Sequence, residues 1–217
     1  MKSMLLAAAA MTAFAAAAPA HADQGDVLLR ARAIVVAPTE DSGGVEPAFP
    51  NDGVSVTNSF APEVDVTFFI TDHIGLELIA ATTKHDVKGK GGLEPLGELV
   101  DTWVLPPTLT LQYHFAPKAR VRPYVGVGLN YSHFYGEDAS DALGDAIGDT
   151  KVRLKDSVGY ALQAGLDVDV GRNLFLNFDV KYIDIDTRAT LTTGGLTNRV
   201  KVSLDPIVAG IGVGMRL

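Results

Sequence analysis

Residues 158–170 read Val-Gly-Tyr-Ala-Leu-Gln-Ala-Gly-Leu-Asp-Val-Asp-Val. Val158, Tyr160, Leu162, Ala164, Leu166, Val168 and Val170 are apolar, while Gly159, Ala161, Gln163, Gly165, Asp167 and Asp169 between them are small, polar or acidic. Successive side chains of a strand point to opposite faces, so this is a strand with one oily face and one wet face. Such a strand either covers the core of a soluble barrel or stands in lipid with its wet face inside a closed barrel.

The same two-residue period recurs at 27–38, 57–70, 74–84, 103–115, 121–135, 174–186 and 200–217. With 158–170 this makes eight strands, each of the length that a tilted transmembrane strand needs. Their connections alternate between tight turns, at 71–73, 116–120 and 171–173, and long stretches rich in Gly, Pro and acid, at 39–56, 85–102 and 136–157 and around Gly194-Gly195. The fold class expected is all-β, an eight-stranded antiparallel up-and-down transmembrane β-barrel, with short turns on one side of the membrane and long loops on the other.

A soluble lipocalin-like barrel shares this parity, and aromatic placement separates the two. Phe68, Tyr113 and Phe115 lie at the short-turn end of the apolar face, and Trp103, Tyr131, Tyr135, Tyr160 and Tyr182 at the long-loop end, as two interfacial girdles do. The other face carries Gly126, Gly128, Gly159, Gly165, Gly210, Gly212 and Gly214, which suit a narrow lumen. Residues 1–22 read as an export signal: Lys2, an apolar run from Met4 to Ala18, and the small-residue site Ala20-His21-Ala22. Residues 23–217 then form the barrel domain. No later run is apolar enough for a membrane helix. The chain has no cysteine, so closure and packing must supply its stability. Its net charge of −8, with basic residues scattered along the chain, argues against nucleic acid as a partner.

Leu105-Pro106-Pro107-Thr108-Leu109, the run Arg122-Pro123-Tyr124-Val125-Gly126-Val127-Gly128-Leu129-Asn130-Tyr131, Leu154-Lys155-Asp156-Ser157, Tyr182-Ile183-Asp184-Ile185-Asp186-Thr187 and Leu204-Asp205-Pro206 closely resemble, in order, the outer membrane protein W (OmpW) family. The resemblance implies an eight-stranded barrel in the Gram-negative outer membrane, with a narrow hydrophobic channel associated with small hydrophobic molecules. It also implies recognition by the barrel assembly machinery. The final residue, Leu217, departs from the aromatic residue with which this family usually ends.

Assigning the wet parity to the lumen gives each inward residue a height. Arg30, Arg32, Lys181 and Arg216 face Glu63, Asp65, Glu77, Asp167, Asp169 and Asp179 in the short-turn half, with Gln112 and His114 nearby, and such charges are expected to pair into a plug. Above them Ile34, Val36, Phe134, Ile183 and Ile185 continue the inward parity as an apolar cup for small hydrophobic solutes. Pro106, Pro107 and Pro206 mark places where the wall lacks ladder donors and opens sideways. A shift of apolar residues from even positions (Val202, Leu204) to odd ones (Ile207, Ile211, Val213) predicts a β-bulge near Pro206.

Other signals are weaker. The histidines lack metal-ligand spacing, and no metal or cofactor is expected. Ser132 and His133 are strand neighbours that point to opposite faces, so an enzyme is not expected. Asp184 and Asp186 share a face at the outer rim, where divalent ions bridging lipopolysaccharide would fit. Residues 142–149 contain an echoed Ala-x-Gly-Asp that suits a short helical turn. The expected function is passive uptake of small hydrophobic molecules with release into the membrane, in contact with outer-membrane lipid and lipopolysaccharide. The alternative is a plugged barrel whose acidic, Gly-rich loops act as a receptor for phage, bacteriocin or host molecules.

Overall fold

The computed structural model describes residues 23–217, and the expected export signal at 1–22 lies outside them. In chain order the described residues form β1 (Val27–Ala37), β2 (Asp41–Ser42), β3 (Val54–Val56), β4 (Ser59–Phe69), β5 (Ile74–Ala81), β6 (Thr83–Gly89), β7 (Glu98–Leu105), β8 (Thr108–His114) and β9 (Val121–Ala139). The helix α1 (Asp141–Ile147) follows, then β10 (Thr150–Leu154), β11 (Ser157–Asp169), β12 (Leu174–Ile183), β13 (Asp186–Thr193), β14 (Leu196–Ser203) and β15 (Ile207–Arg216).

Eight of these strands, β11-β12-β15-β1-β4-β5-β8-β9, pair antiparallel in that order, and β9 pairs back onto β11 to close the ring. Closure removes every sheet edge, which lets backbone cross a hydrocarbon layer. Leu162 is 49 % exposed and Val158 76 %, whereas Gln163 and Asp167 are 5 % and 0 % exposed. Apolar side chains therefore face outward and ionic ones inward, the reverse of a soluble barrel. Both girdles stand on the outer surface: Phe68, Tyr113 and Phe115 at one end, Trp103, Tyr131, Tyr135 and Tyr160 at the other. Both ends of the described chain lie at the short-turn end, where Leu217 N–H donates to the Val27 carbonyl at 2.9 Å.

The wall does not stop at the upper girdle. The expected third strand, 74–84, divides at Thr82 and continues as β6, and the expected fourth, 103–115, divides at Pro106-Pro107 into β7 and β8. The seventh resumes as β13 and the eighth divides into β14 and β15. The stretches expected as long loops thus contain two further sheets, β10-β13-β14-β2 and β3-β6-β7 with the upper half of β9. Ser42 Oγ bonds both the N–H and the carbonyl of Val54 where β2 meets β3. Asp156 and Glu137 accept the N–H groups of Phe134 and Leu154 where β9 meets β10. Residues 142–149 supply most of α1, with Ser140 Oγ accepting from Leu143 N–H at its start.

The bulge expected near Pro206 is absent. Val200, Val202, Leu204, Pro206 and Val208 are all buried, so even positions point inward without interruption. What changes is the medium outside: lipid lies against β15, which puts Ile207, Ile211 and Val213 outward, and water lies against β14, which puts Val200, Val202 and Leu204 inward. The apparent slip of phase marks the level at which the wall leaves the membrane.

Candidate functional site: a cup above a filled plug

Below the girdle the lumen is packed with paired charge. The Arg30 guanidinium reaches Asp65 and Asp167 at 3.0 Å each and the Thr67 hydroxyl at 2.7 Å. Arg32 reaches Glu63 at 2.7 Å and Asp65 at 2.6 Å, and donates to the Asn177 side-chain oxygen at 3.0 Å. The ammonium of Lys181 lies between Glu63 at 2.8 Å and Asp179 at 2.9 Å. Glu77 sits 3.4 Å from Arg32 and 3.5 Å from Arg30. Tyr124 donates to Asp179 at 2.7 Å, and Asn177 donates to both Tyr124 and Asp167. Gln112, Gln163 and His114 extend the same network. These groups are buried, and such a set persists only because most of its polar atoms find partners.

Two glycines make room for this packing. A Cβ at Gly165 would fall on the Tyr124 ring directly across the β9–β11 ladder, and one at Gly214 on the Phe175 ring across β12–β15. Each aromatic side chain reaches across a glycine into the lumen, which narrows it further. Two guanidinium groups also lie over the Phe175 ring, Arg30 at 5.6 Å and Arg122 at 5.2 Å from its centroid.

The residues expected in the plug are divided between two levels. Arg30, Arg32, Asp65, Glu77, Asp167, Asp179 and Lys181 form the central network. Asp169 lies lower and pairs with Arg122, and Arg216 stands at the short-turn rim 3.3 Å from Asp26. Arg122 and Tyr124 belong to the plug although charge alone did not single them out. The even parity that places Asn130, Ser132 and Phe134 inward on the same strand applies to both.

Above the plug Ile34, Val36, Phe134, Ile183 and Ile185 are all buried and line one cavity, with about 1490 Å³ of empty space counting its open mouth. The upper strands β7, β13 and β14 add apolar residues to its wall, and α1 contributes Leu143. Glu63 and Lys181, already paired to each other, form its floor. Among the described residues His85 is the one histidine on its lining: its Nδ1–H donates to the Thr57 carbonyl at 2.8 Å and its Nε2 accepts from Thr83 at 3.0 Å. Both ring nitrogens are satisfied in the neutral form. Burial pushes the imidazole below its ordinary pKa, opposed by the Thr57 hydrogen bond and Asp86, so the cup is uncharged here at neutral pH.

The prolines do not behave alike. Between β5 and β8 the ladder ends at Ile79–Thr108, and between β6 and β7 it resumes at Thr83–Val104 in the same register. Ala80, Ala81 and Thr82 lie opposite Leu105, Pro106 and Pro107 with no rung between them. Proline has no N–H to donate, so the ladder is interrupted on this side of the wall, a candidate slit. Ala81 and Pro106 line the cup on its inner side, and Leu105 is exposed on its outer side just below Trp103. On the other side of the same segment the wall is closed, because Tyr131 N–H donates to the Pro107 carbonyl and the Asn130 amide to that of Pro106.

At Pro206, by contrast, both neighbours are stitched. Ile183 N–H donates to the Pro206 carbonyl at 3.2 Å, and Thr39 donates to the carbonyls of Leu204 and Asp205. Asp205, at φ 37°, turns its carboxylate onto Ile185 N–H. That expected opening is replaced by a hydrogen-bonded kink.

Ser132 and His133 stand on opposite faces. Ser132 donates inward to Asn130, and His133 pairs with Asp156 outside at 3.0 Å. Asp156 is held below the usual carboxylate range by the Tyr131 hydroxyl first and then by His133. Among the described residues no group of His, Asp and Glu has the arrangement of a metal site.

The chain and its barrel fold have counterparts among known proteins. The Escherichia coli (strain K12) outer membrane protein W is 36 % identical over 217 residues, covering the whole of both chains. The crystal structure of the outer membrane protein OprG from Pseudomonas aeruginosa superposes with a TM-score of 0.85 at 30 % identity, over 93 % of this chain and 99 % of that one. A Pseudomonas aeruginosa protein named dibenzothiophene metabolism operon protein PahQ is 29 % identical over 76 % of this chain and 75 % of its own length. A sequence model of the OmpW family matches residues 23–217, the whole of the barrel built above. The chain belongs to the OmpW family of outer-membrane β-barrel proteins.

Proposed function

We propose that this barrel is a passive, non-enzymatic conduit that takes small apolar solutes from outside the cell into the cup and releases them sideways into the outer membrane. The long-loop end and the cup face outward, and the short turns and both termini face the periplasm. One observation carries this reading: an apolar cavity whose floor is a filled network of ion pairs, and whose wall lacks rungs at Ala80–Thr82 opposite Leu105–Pro107.

Transfer into the cup is favoured by about 25 cal/mol for each Å² of apolar surface removed from water. Passing straight down would separate buried charges from their partners, at several kcal/mol per broken pair. Moving through the slit into hydrocarbon separates none. The name of the relative PahQ refers to metabolism of dibenzothiophene, an apolar aromatic compound of the kind that such a cup suits.

The slit can be tested directly because the chain has no cysteine of its own. Ala81 and Pro106 are opposite one another in the continued register, so Ala81→Cys with Pro106→Cys places two thiols across the slit at cross-strand spacing. The oxidised variant is expected to lose most of the uptake of an apolar fluorescent probe, and reduction to restore it. Full uptake by the oxidised, disulfide-verified barrel would overturn lateral release.

A further inference from the structure

The basic residues that lie scattered along the sequence are brought together by strand pairing above the membrane. In the sheet β10-β13-β14, Lys155 N–H donates to the Arg188 carbonyl, and Arg188 pairs with Lys201. One step further from the membrane, Arg153 pairs with Thr190 and Thr190 with Arg199. Lys151 begins the next row beside Thr192. All six basic side chains are exposed on the outward face, with strands about 4.8 Å apart and rows about 6.7 Å apart.

In a chain of net charge −8 this face is an exception. Arg153 has Glu137 at 3.9 Å, and among the described residues the side chains of Lys151, Lys155, Arg188, Arg199 and Lys201 are in no ion pair. The opposite outer sheet is not like this. Its strands β6, β7 and upper β9 carry Asp86, Glu98, Asp101 and Asp138 beside Lys84 and Lys88, and Lys84 is bound to Asp101 at 3.2 Å. Asp41 and Asp186 occupy the membrane-proximal edge of the basic sheet. The positive patch is therefore bounded below as well as to one side.

Its position selects the partner. Arg188 lies six residues beyond Tyr182 of the upper girdle, which places the patch roughly 15–20 Å along the wall above the hydrocarbon boundary. The face looks sideways, across the plane of the membrane, and not upward around the mouth of the cup. A partner must stand beside the barrel at that height, carry several negative charges and be held by the same leaflet. The phosphorylated inner-core saccharide of lipopolysaccharide has all three properties. Exposed Lys and Arg heads with no internal partner are free to bind its phosphates.

We propose that the outward face of β10-β13-β14 binds the phosphorylated core saccharide of neighbouring lipopolysaccharide, through Lys155, Arg188, Lys201, Arg153 and Arg199. The inference rests on the outward orientation proposed above and not on transport. It fixes one side of the barrel, about the wall of β10 to β14, as the side against which ordered lipopolysaccharide stands.

The test is titration of the full-length barrel in lipid nanodiscs with purified rough lipopolysaccharide. The same lipopolysaccharide with its core phosphates removed, and the free phosphorylated core oligosaccharide, serve as comparison ligands. The variant K155E/R188E/K201E changes only exposed side chains, and its folding is checked by heat-dependent gel mobility. Binding of phosphorylated lipopolysaccharide is expected to fall on the order of tenfold or more in the variant and to weaken with salt in the wild type. Binding of the dephosphorylated form is expected to be weak and alike in both proteins.

Equal binding by wild type and folded variant would overturn the proposal, as would equal binding of the two lipopolysaccharides to the wild type. If the free oligosaccharide binds as tightly as the membrane-anchored molecule, a soluble polyanion is the partner and the proposal is also overturned. Apolar-probe uptake by K155E/R188E/K201E is expected to match the wild type, so failure of this proposal and failure of the transport reading are read separately.

Discussion

Arg32→Met is expected to destabilise the barrel by about 3–5 kcal/mol, the cost of removing one partner from a buried charge network. Arg32 is 3 % exposed and holds Glu63, Asp65 and Glu77 at once, with Asp179 3.6 Å away. Only three cations, Arg30, Arg32 and Lys181, stand among five carboxylates in the central network, so the loss of one leaves the acids with still less compensation. Methionine fills a similar volume but donates nothing. Urea-induced unfolding in lipid vesicles, followed through the single tryptophan Trp103, measures the loss as a lowered midpoint at unchanged slope. A midpoint within error of the wild type would mean that the plug does not hold the barrel together. Arg32→Lys is expected to fall between the two, because a single ammonium cannot reach the acids that the guanidinium bridges.

The second large effect concerns the cup. Ile183→Asp with Ile185→Asp places two carboxylates on the wall of the cavity, one turn of the pleat apart on the same face. Each substitution replaces apolar lining with a charged, hydrated group, so part of the apolar burial that favours the solute, at about 25 cal/mol per Å², is lost. Uptake of an apolar probe is expected to fall by at least tenfold, with uptake of a small polar solute unchanged. Should the double aspartate fail to assemble, Ile183→Thr with Ile185→Thr retains the β-branched shape and is expected to lose uptake in part. Unchanged uptake in a folded variant of either kind would show that these isoleucines only pack the wall.

The sequence discloses the membrane half of this barrel through a single physical rule. Inside lipid the outer face must be apolar, so alternation such as that of residues 158–170 reveals both the strands and the side of each residue. The pairing of Arg30, Arg32 and Lys181 with the acids of other strands follows from parity and height alone, as does the convergence of Ile34, Val36, Phe134, Ile183 and Ile185. Above the girdle the rule inverts, because water replaces lipid. Strands such as β10 and β14 alternate there with apolar residues inward, and a reading tuned to lipid takes the Gly- and Pro-bounded segments for loops. The supposed bulge at Pro206 has the same origin: Leu204 and Val208 are both inward, and only the surroundings of the wall differ.

Partner strands distant in sequence are the other hidden quantity. Pro106-Pro107 and Pro206 look equivalent in the chain, yet Thr39, Ile183 and Ile185 hydrogen-bond the wall together at Pro206, while Ala80 to Thr82 face Leu105 to Pro107 without a rung. Arg188 meets Lys155 and Lys201 only once register is set, which is why dispersed cations in the sequence become a patch in the fold.

Where an apolar solute goes after entering the cup can be measured in liposomes that contain the barrel, a bilayer-resident fluorescent reporter and a water-soluble acceptor sealed inside. Lateral release predicts that the protein accelerates arrival of the probe in the bilayer, while transfer from bilayer to interior proceeds at the rate of protein-free liposomes. Filling of the interior acceptor as fast as the bilayer signal rises would contradict it, since the solute would then have crossed the plug.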